Sequence, residues 1–175
     1  MSDTLAKQNI CVYIRWMIRR DMMEVLEIEN QSFEFPWLGD DFLKCMKQGN
    51  CASMVAEHNE MVAGYMVYEL CKNSLYILNF AVNPDFRRMS VGAQMAEKLI
   101  GKLSPQRRNR ILLKIRETNL VAQLFFRELG FRAISVLHDS FEDTTEDAYL
   151  MQYIFKKEEE ENNFLNISVA NRIAG

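Results

Sequence analysis

Hydrophobic and polar positions in the first half of the chain follow the pattern of short β-strands. Runs rich in branched and aromatic residues are separated by polar turn residues. The strand-like runs are Cys11–Ile18, Ala52–Glu57, Met61–Leu70 and Leu75–Val82. Because only short turns at Asn59-Glu60 and Lys72-Asn73-Ser74 separate the last three, these runs are predicted to form an antiparallel meander.

Helical spacing of apolar residues predicts four helices. Asp21 begins the first helix, which ends before Phe35-Pro36-Trp37 because proline disfavours helix at the residue preceding it. Asp40 or Asp41 begins a short second helix. The remaining two are predicted over Val91–Leu103 and Asn119–Leu129, and Gly130 is placed to end the last one.

In the second half, strands alternate with helices. The predicted strands are Ile111–Ile115, Phe131–Leu137 and Ala148–Phe155. This order predicts an α/β protein with helices packed against a sheet. An acidic segment, residues 139–147, separates the last two strands, and the charged tail 157–175 is predicted to leave the domain after the last strand.

Composition and charge narrow the class of protein. The 175 residues are 49% hydrophobic and 26% charged, which is typical of one globular domain. No apolar run reaches the length of about 18 residues that a membrane span needs, and residues 1–9 lack the apolar core of a secretory signal. A net charge of −3 argues against nucleic acid as a partner. We therefore expect a cytoplasmic protein with neither a membrane nor a nucleic-acid partner.

Cysteine spacing argues against a metal site. The spacings of Cys11, Cys45, Cys51 and Cys71 match no zinc motif, and the chain has only two histidines. We expect reduced thiols and no bound metal.

The segment that indicates chemistry runs from Leu78 to Ala96. A strand ends at Val82, two arginines follow, and small residues stand at the start of a long helix. Free amide groups and the positive dipole end of a helix suit a phosphate, which small side chains allow to approach the backbone. On these residues alone, an ordinary helix-capping loop explains the pattern equally well, because neither GxxxxGK[ST] nor GxGxxG is present.

Four motifs, in order and with matching spacing, give the chain a family resemblance. They are Arg87-Arg88-Met89-Ser90-Val91-Gly92-Ala93, Phe35-Pro36-Trp37, Arg116-Glu117-Thr118-Asn119 followed by Leu129-Gly130-Phe131, and Glu146-Asp147-Ala148 followed by Met151. With them the sequence resembles the GNAT superfamily of acyl-CoA-dependent N-acyltransferases, and within it the bacterial ribosomal-protein N-alanine acetyltransferases. The resemblance covers about residues 12–155.

The resemblance implies a fold and a cofactor site. The fold is a mixed, mostly antiparallel sheet of about seven strands with helices on both faces, forming a domain over residues 10–156. In such proteins the fourth and fifth strands splay apart around the pantetheine of acetyl-CoA, and amides at the next helix hold the pyrophosphate. The cofactor-binding residues that it implies are Phe80, Ala81, Val82, Arg87, Arg88, Met89, Ser90, Val91, Gly92, Ala93, Asn119 and Phe126.

Three positions depart from the family pattern. Ser90 replaces the first glycine of the signature, Lys114 stands where the likest subfamily has a glutamate base, and Phe126 stands where it has a tyrosine acid. A phenyl ring has no proton to donate, and an ammonium group repels an ammonium substrate. The catalytic residues are therefore unknown from the sequence. Glu69, Tyr149, Tyr153 and a buried Lys114 are weighed as substitutes.

Two functions from different classes follow. The first is an acetyl-CoA-dependent N-acetyltransferase that acts on a primary amine, with a protein N-terminal amine preferred. The second is an acyl-CoA-binding module with weak or no catalysis, since both family acid–base positions are substituted. A homodimer is a further expectation.

Overall fold

The computed structural model describes residues 8–156, so the predicted tail 157–175 lies outside the described residues. Within them the chain forms seven strands and four α-helices. In chain order these are β1 (Tyr13–Trp16), α1 (Met22–Ser32), α2 (Gly39–Lys47), β2 (Cys51–His58), β3 (Met61–Leu70), β4 (Ser74–Val82), α3 (Val91–Ile100), β5 (Arg110–Arg116), α4 (Leu120–Glu128), β6 (Arg132–Leu137) and β7 (Ala148–Ile154).

All seven strands belong to one sheet, in the order β1-β2-β3-β4-β5-β7-β6. Neighbouring strands are antiparallel except β4 and β5, which are parallel. The predicted meander from β2 to β4 and the mixed, mostly antiparallel sheet are both confirmed. The single parallel pair requires the crossover that carries α3.

Helices cover both faces of the sheet, as predicted. β3 contributes Met66 and Tyr68 to the core under α3 and α4, and Tyr65 and Val67 to the core under α1 and α2. All four side chains are buried. Because alternate residues of a strand point to opposite faces, a strand covered on both sides reads as a continuous apolar run.

The predicted first strand is the element whose length differs most from the prediction. β1 covers Tyr13–Trp16 rather than Cys11–Ile18. The backbone before it bonds to α3 instead: the Gln94 side chain accepts from the Val12 amide at 3.1 Å and donates to the Ile10 carbonyl at 2.7 Å. A side chain 82 residues away thus replaces a strand partner.

Gly130 ends α4 as predicted. Its φ of 96° is left-handed, and its amide donates to the Arg127 carbonyl at 3.0 Å. The Phe131 amide donates to the Phe126 carbonyl at 3.0 Å, which completes a Schellman motif. The accompanying apolar contact joins the Phe126 and Phe131 rings, whose centroids are 5.1 Å apart. This turn therefore holds Phe126 against the core.

Candidate active site

The parallel strands β4 and β5 separate partway along their length. Their pairing runs from Ser74 opposite Arg110 to Ile77 opposite Leu113 and ends there, although both strands continue. The register of β4 against β3 shifts at the same point, where Leu78 forms a bulge. A bulge bends its strand and increases its twist, which turns the rest of β4 away from β5. The result is a gap between the two strands.

Backbone groups of β4 are directed into this gap. The Asn83 amide donates to the Ala63 carbonyl at 2.9 Å. Alternation along an antiparallel ladder then directs the backbone groups of Phe80 and Val82 away from β3 and towards the gap, although the Val82 carbonyl already accepts a bond from Arg87 at 3.1 Å. Ala81 lies between them and pairs with Tyr65. An extended ligand with amide groups satisfies such a strand edge as a further strand does.

An aromatic cluster forms one wall of the gap. The Phe80 ring lies 5.5 Å from Phe126 and 6.0 Å from Phe125, both on α4. Phe126 is 4% exposed, so its ring packs in the core. This is the position at which the resemblance implies the tyrosine acid of the likest subfamily. The Phe126 ring presents no polar atom to the gap.

The start of α3 lies at the end of β4 and has free backbone amides. Ser90 precedes the helix with a left-handed φ of 64°, and no side chain caps its first turn. The first amides of a helix have no intrahelical acceptor, so those of Val91, Gly92 and Ala93 are available to an anion. A Cβ on Gly92 would lie 3.1 Å from the Phe125 ring, so glycine lets this turn pack closely on α4.

The two arginines of the signature precede α3 and have different surroundings. The Arg87 guanidinium donates to the Val82 carbonyl at 3.1 Å and to the Ser32 hydroxyl at 3.0 Å, so it joins β4 to the end of α1. Arg88 is exposed and has a left-handed φ of 64°. Met89 accepts the Ile10 amide through its carbonyl at 3.2 Å.

Asn119 stands between β5 and α4, as the resemblance implied. Its side-chain oxygen accepts the Ala122 amide at 3.1 Å and so caps α4. The cap fixes the position of α4, and with it Phe126, relative to the end of β5.

Lys114 and Arg116 lie on the face of β5 opposite the α3–α4 core, since Leu113 and Ile115 belong to that core. Lys114 is exposed and donates to the Ser140 carbonyl at 3.4 Å, so the burial that a lysine base requires is absent. Its ammonium is 5.3 Å from the centre of the Phe141 ring.

Arg116 links three segments beside the gap. Its guanidinium lies 3.8 Å from the Phe141 ring centre and 5.3 Å from that of Phe35. It also pairs with Asp143 at 2.8 Å and with Glu146 at 3.1 Å. Two carboxylates of the acidic segment are therefore used to hold the β6–β7 loop onto β5. Bonds from Thr118, together with Arg116, lower the pKa of Glu146.

The other candidate bases lie away from the gap or are used structurally. Glu69 is at the paired end of β4, opposite Tyr76, and accepts a bond from Asn50 at 2.6 Å. Tyr153 packs on Phe131 with ring centroids 5.4 Å apart. Tyr149 lies opposite Ile115 and is packed, partly buried, against the α3–α4 core, on the face of the sheet opposite Lys114.

Sequence reasoning missed one buried polar cluster beside the gap. Glu29 on α1 is 1% exposed and contacts Tyr65 of β3 and Asn79 of β4. The signals were present: an acid on the apolar face of a helix, and a lone asparagine within the apolar run of β4.

In residues 8–156 no helix is long and apolar enough to span a membrane. The same part of the chain contains no group of three or more His, Cys, Asp or Glu side chains placed to hold a metal ion.

A bulged strand that leaves its parallel neighbour, next to an uncapped helix N-terminus, is an arrangement suited to an extended, partly anionic ligand. A model of the acetyltransferase (GNAT) family matches residues 17–131. The chain belongs to this acetyltransferase family, as its motifs predicted.

Relatives and solved structures agree with this assignment. The putative [ribosomal protein bS18]-alanine N-acetyltransferase of Bacillus subtilis (strain 168) is 27% identical over 139 residues, which cover 79% of this chain and 92% of that protein. The crystal structure of the ribosomal-protein-S18-alanine N-acetyltransferase from Escherichia coli gives a TM-score of 0.73 at 23% identity, covering 85% and 97% of the two chains. Arabidopsis thaliana NAA60 in complex with acetyl-CoA gives 0.72 at 16% identity, covering 83% and 100%. These structures confirm the predicted fold.

Proposed function

We propose that this protein transfers the acetyl group of acetyl-CoA to a primary amine, and that the amine is a protein N-terminus. The observation that carries the proposal is the gap between β4 and β5 beside the uncapped start of α3. Both features fit acetyl-CoA: the gap accepts the amide-containing pantetheine arm, and the helix amides accept the pyrophosphate. The named activities of the relatives support the same assignment.

The residues of the candidate site have different roles in binding acetyl-CoA, according to their positions. The backbone of Phe80, Ala81 and Val82 lies along the pantetheine arm, and the Phe80 ring packs against it beside Phe126. The amides from Arg88 to Ala93 hold the pyrophosphate, while Arg87 holds the end of β4 in place. Asn119 fixes α4 at the far side of the gap.

The transfer itself needs little from side chains. The neutral amine attacks the thioester carbonyl, a C–N bond forms, and the C–S bond breaks as the electron pair leaves with sulfur. The nitrogen, positively charged after the attack, loses one proton to water and becomes the neutral amide. An amide of β4 directed into the gap donates to the carbonyl oxygen as negative charge develops there. Because Phe126 has no proton to give, water protonates the leaving thiolate. Positioning the amine against a reactive thioester supplies the main acceleration.

The absence of a carboxylate base at position 114 favours an N-terminal amine over a lysine side chain. With a pKa near 7.7–8.0, about a tenth of an N-terminal amine is neutral at pH 7, against less than about 0.1% of a lysine amine near 10.4. An enzyme that must accept its substrate already neutral therefore works better on N-termini.

The experiment that tests this proposal measures binding and transfer separately. Calorimetry gives the acetyl-CoA Kd, and thiol release is followed with a peptide carrying a free N-terminus or with the same peptide blocked at its N-terminus and containing lysine. We expect release only with the free N-terminus. Binding without amine-dependent release would support the acyl-CoA-binding module instead.

A pair of variants tests the site. Ala93→Glu places a carboxylate in the first turn of α3, where it suits the helix dipole but repels the pyrophosphate. Ala93→Gln has nearly the same size and no charge. We expect Ala93→Glu to fold normally and bind acetyl-CoA more weakly than Ala93→Gln, and equal affinities would contradict a pyrophosphate at this turn.

Four expectations about context complete the proposal. We expect the protein in the cytoplasm, acting without nucleic acid or membrane, and forming a homodimer. We also expect residues 10–156 to bind acetyl-CoA without the tail 157–175. Light scattering and a chain truncated after Lys156 test the last two.

A further inference from the structure

A buried carboxylate lies between the acceptor side of the gap and β4, and the reaction described above does not use it. We take the acceptor side to be the face of β5 that carries Lys114, because the resemblance implies the family's base at that position and a base must reach the amine. Glu29 is 1% exposed, near the end of α1. Taking a carboxylate out of water costs free energy unless hydrogen bonds replace the lost hydration. Glu29 has three such bonds, so its partners explain how it is tolerated and indicate what it holds.

One oxygen of Glu29 holds the loop between α1 and α2. Oε1 accepts the Trp37 backbone amide at 2.7 Å, across eight residues. This loop carries the Phe35-Pro36-Trp37 motif, and its Phe35 ring lies under the Arg116 guanidinium at 5.3 Å. The loop therefore borders the face of β5 on which Lys114 stands, where the acceptor amine approaches.

The other oxygen of Glu29 holds β4 at the start of the gap. Oε2 accepts a bond from Asn79 Nδ2 at 3.0 Å and another from the Tyr65 hydroxyl. The Tyr65 oxygen also lies 3.3 Å from Asn79 Oδ1, but its single proton is used in the bond to Glu29, so Asn79 is held through its Nδ2. Asn79 directly follows the bulge at Leu78 and directly precedes Phe80, whose backbone groups face the gap.

Burial raises the pKa of Glu29, while the bonds from the Trp37 amide and Asn79 act in the opposite sense. The carboxylate thus depends on those two partners, and a change at either one alters how well it is held.

We propose that Glu29 is a positioning residue for acetyl transfer, because one carboxylate holds both the acceptor-side loop at Trp37 and the thioester-binding strand at Asn79. The inference rests on the proposed function. Its consequence is that the amine and the thioester are held in register by a group that contacts neither. A misplacement of about 1 Å between reacting groups can cost on the order of 10²-fold in rate.

The test compares Glu29→Ala and Glu29→Gln with a matched pair at Asp21. Asp21 is also a buried acid at α1, 3% exposed, but it lies at the opposite end and pairs with Arg15 at 2.7 Å. Asp21→Ala and Asp21→Asn therefore destabilise the same helix without touching the gap. Steady-state kinetics with the N-terminal peptide, acetyl-CoA Kd and the fraction folded are measured for all four variants.

We expect Glu29→Ala to lower kcat and raise the acceptor KM, so that kcat/KM falls about tenfold or more per folded molecule. The acetyl-CoA Kd should change less than kcat/KM, because the amides at the start of α3 do not depend on Glu29. Glu29→Gln should recover most of the activity, since its amide oxygen still accepts from Trp37 and Asn79 can rotate its amide to match. Per folded molecule, the Asp21 variants should have the same kcat, acceptor KM and acetyl-CoA Kd as the unmutated protein.

Equal kinetic effects of Glu29→Ala and Asp21→Ala would overturn the proposal, and so would a Glu29→Gln variant that recovers no activity. A double-mutant cycle with Asn79→Ala adds a test of the bond itself, because residues that act through one contact give non-additive losses. Additive losses would also overturn it. If the unmutated protein releases no CoA with any peptide, the proposed function fails instead, which is a different outcome.

Discussion

Ser90 offers a test of the backbone at the start of α3. Serine adopts φ 64° there, where related proteins have glycine, and its hydroxyl donates to Asn9 Oδ1 at 2.7 Å. Two effects oppose each other: the left-handed backbone costs about 1–2 kcal/mol for a residue with a Cβ, and the hydrogen bond returns about 1 kcal/mol.

The two substitutions that separate these effects are Ser90→Gly and Ser90→Ala. Ser90→Gly removes the strain and the bond, and adds about 0.4–1 kcal/mol of unfolded-state entropy. The net change in the free energy of unfolding for Ser90→Gly is therefore close to zero. Ser90→Ala keeps the strain and loses the bond, so it should be less stable than the parent by about 1 kcal/mol. Asn9→Ala removes the same bond from the other side and should match it.

Denaturant unfolding with a common m-value measures these differences. We expect the free energy of unfolding of Ser90→Gly to exceed that of Ser90→Ala by about 0.5–1 kcal/mol. The double variant with alanine at both Asn9 and Ser90 should be no less stable than either single alanine variant. If Ser90→Ala is as stable as Ser90→Gly, the strain at position 90 is no larger than the unfolded-state entropy of glycine, about 0.4–1 kcal/mol, and is smaller than we assign.

Three further predictions concern charge and catalysis. Asp21→Asn should lower the free energy of unfolding by about 1–3 kcal/mol at pH 7. Burial raises the pKa of Asp21, but bonds from Arg15 and the Ile18 amide outweigh it and hold the pKa below its usual value. The Asp21→Asn deficit should therefore shrink as pH falls from about 4 through the lowered pKa, and a deficit that persists in acid would contradict the linkage. Restoring the family groups with Lys114→Glu and Phe126→Tyr should raise kcat about 10²-fold, and an unchanged or lower kcat would mean that the protein uses another route. Arg116→Lys keeps the charge but loses the planar guanidinium that holds the β6–β7 loop. The KM for the acceptor should therefore rise while the Kd for acetyl-CoA stays constant. Equal changes in both constants would contradict separate acceptor and acetyl-CoA sites.

Local patterns predicted the elements well because each depends on neighbouring residues. The helix over α3, the turn at Gly130 and the meander from β2 to β4 all follow from periodicity and turn residues a few positions apart. The boundary of β1 was predicted less well. The backbone at Val12, just before β1, bonds to the side chain of Gln94 and not to a neighbouring strand. No residue near Val12 in the sequence indicates that contact.

The candidate site shows the same division between local and distant information. The motifs that identify the family, from Arg87 to Ala93 and around Asn119, are contiguous, and they led to the gap, the uncapped helix and the fold. The sequence likewise predicted that the family acid and base are replaced, since Lys114 and Phe126 are single positions in recognisable motifs. Only the tertiary structure decided that Lys114 is exposed, that Arg116 is neutralised by the β6–β7 loop, and that Glu29 bridges that acceptor side to β4. These facts depend on side chains from distant parts of the chain meeting across the sheet, and burial and pairing of that kind exist only once the strands have assembled.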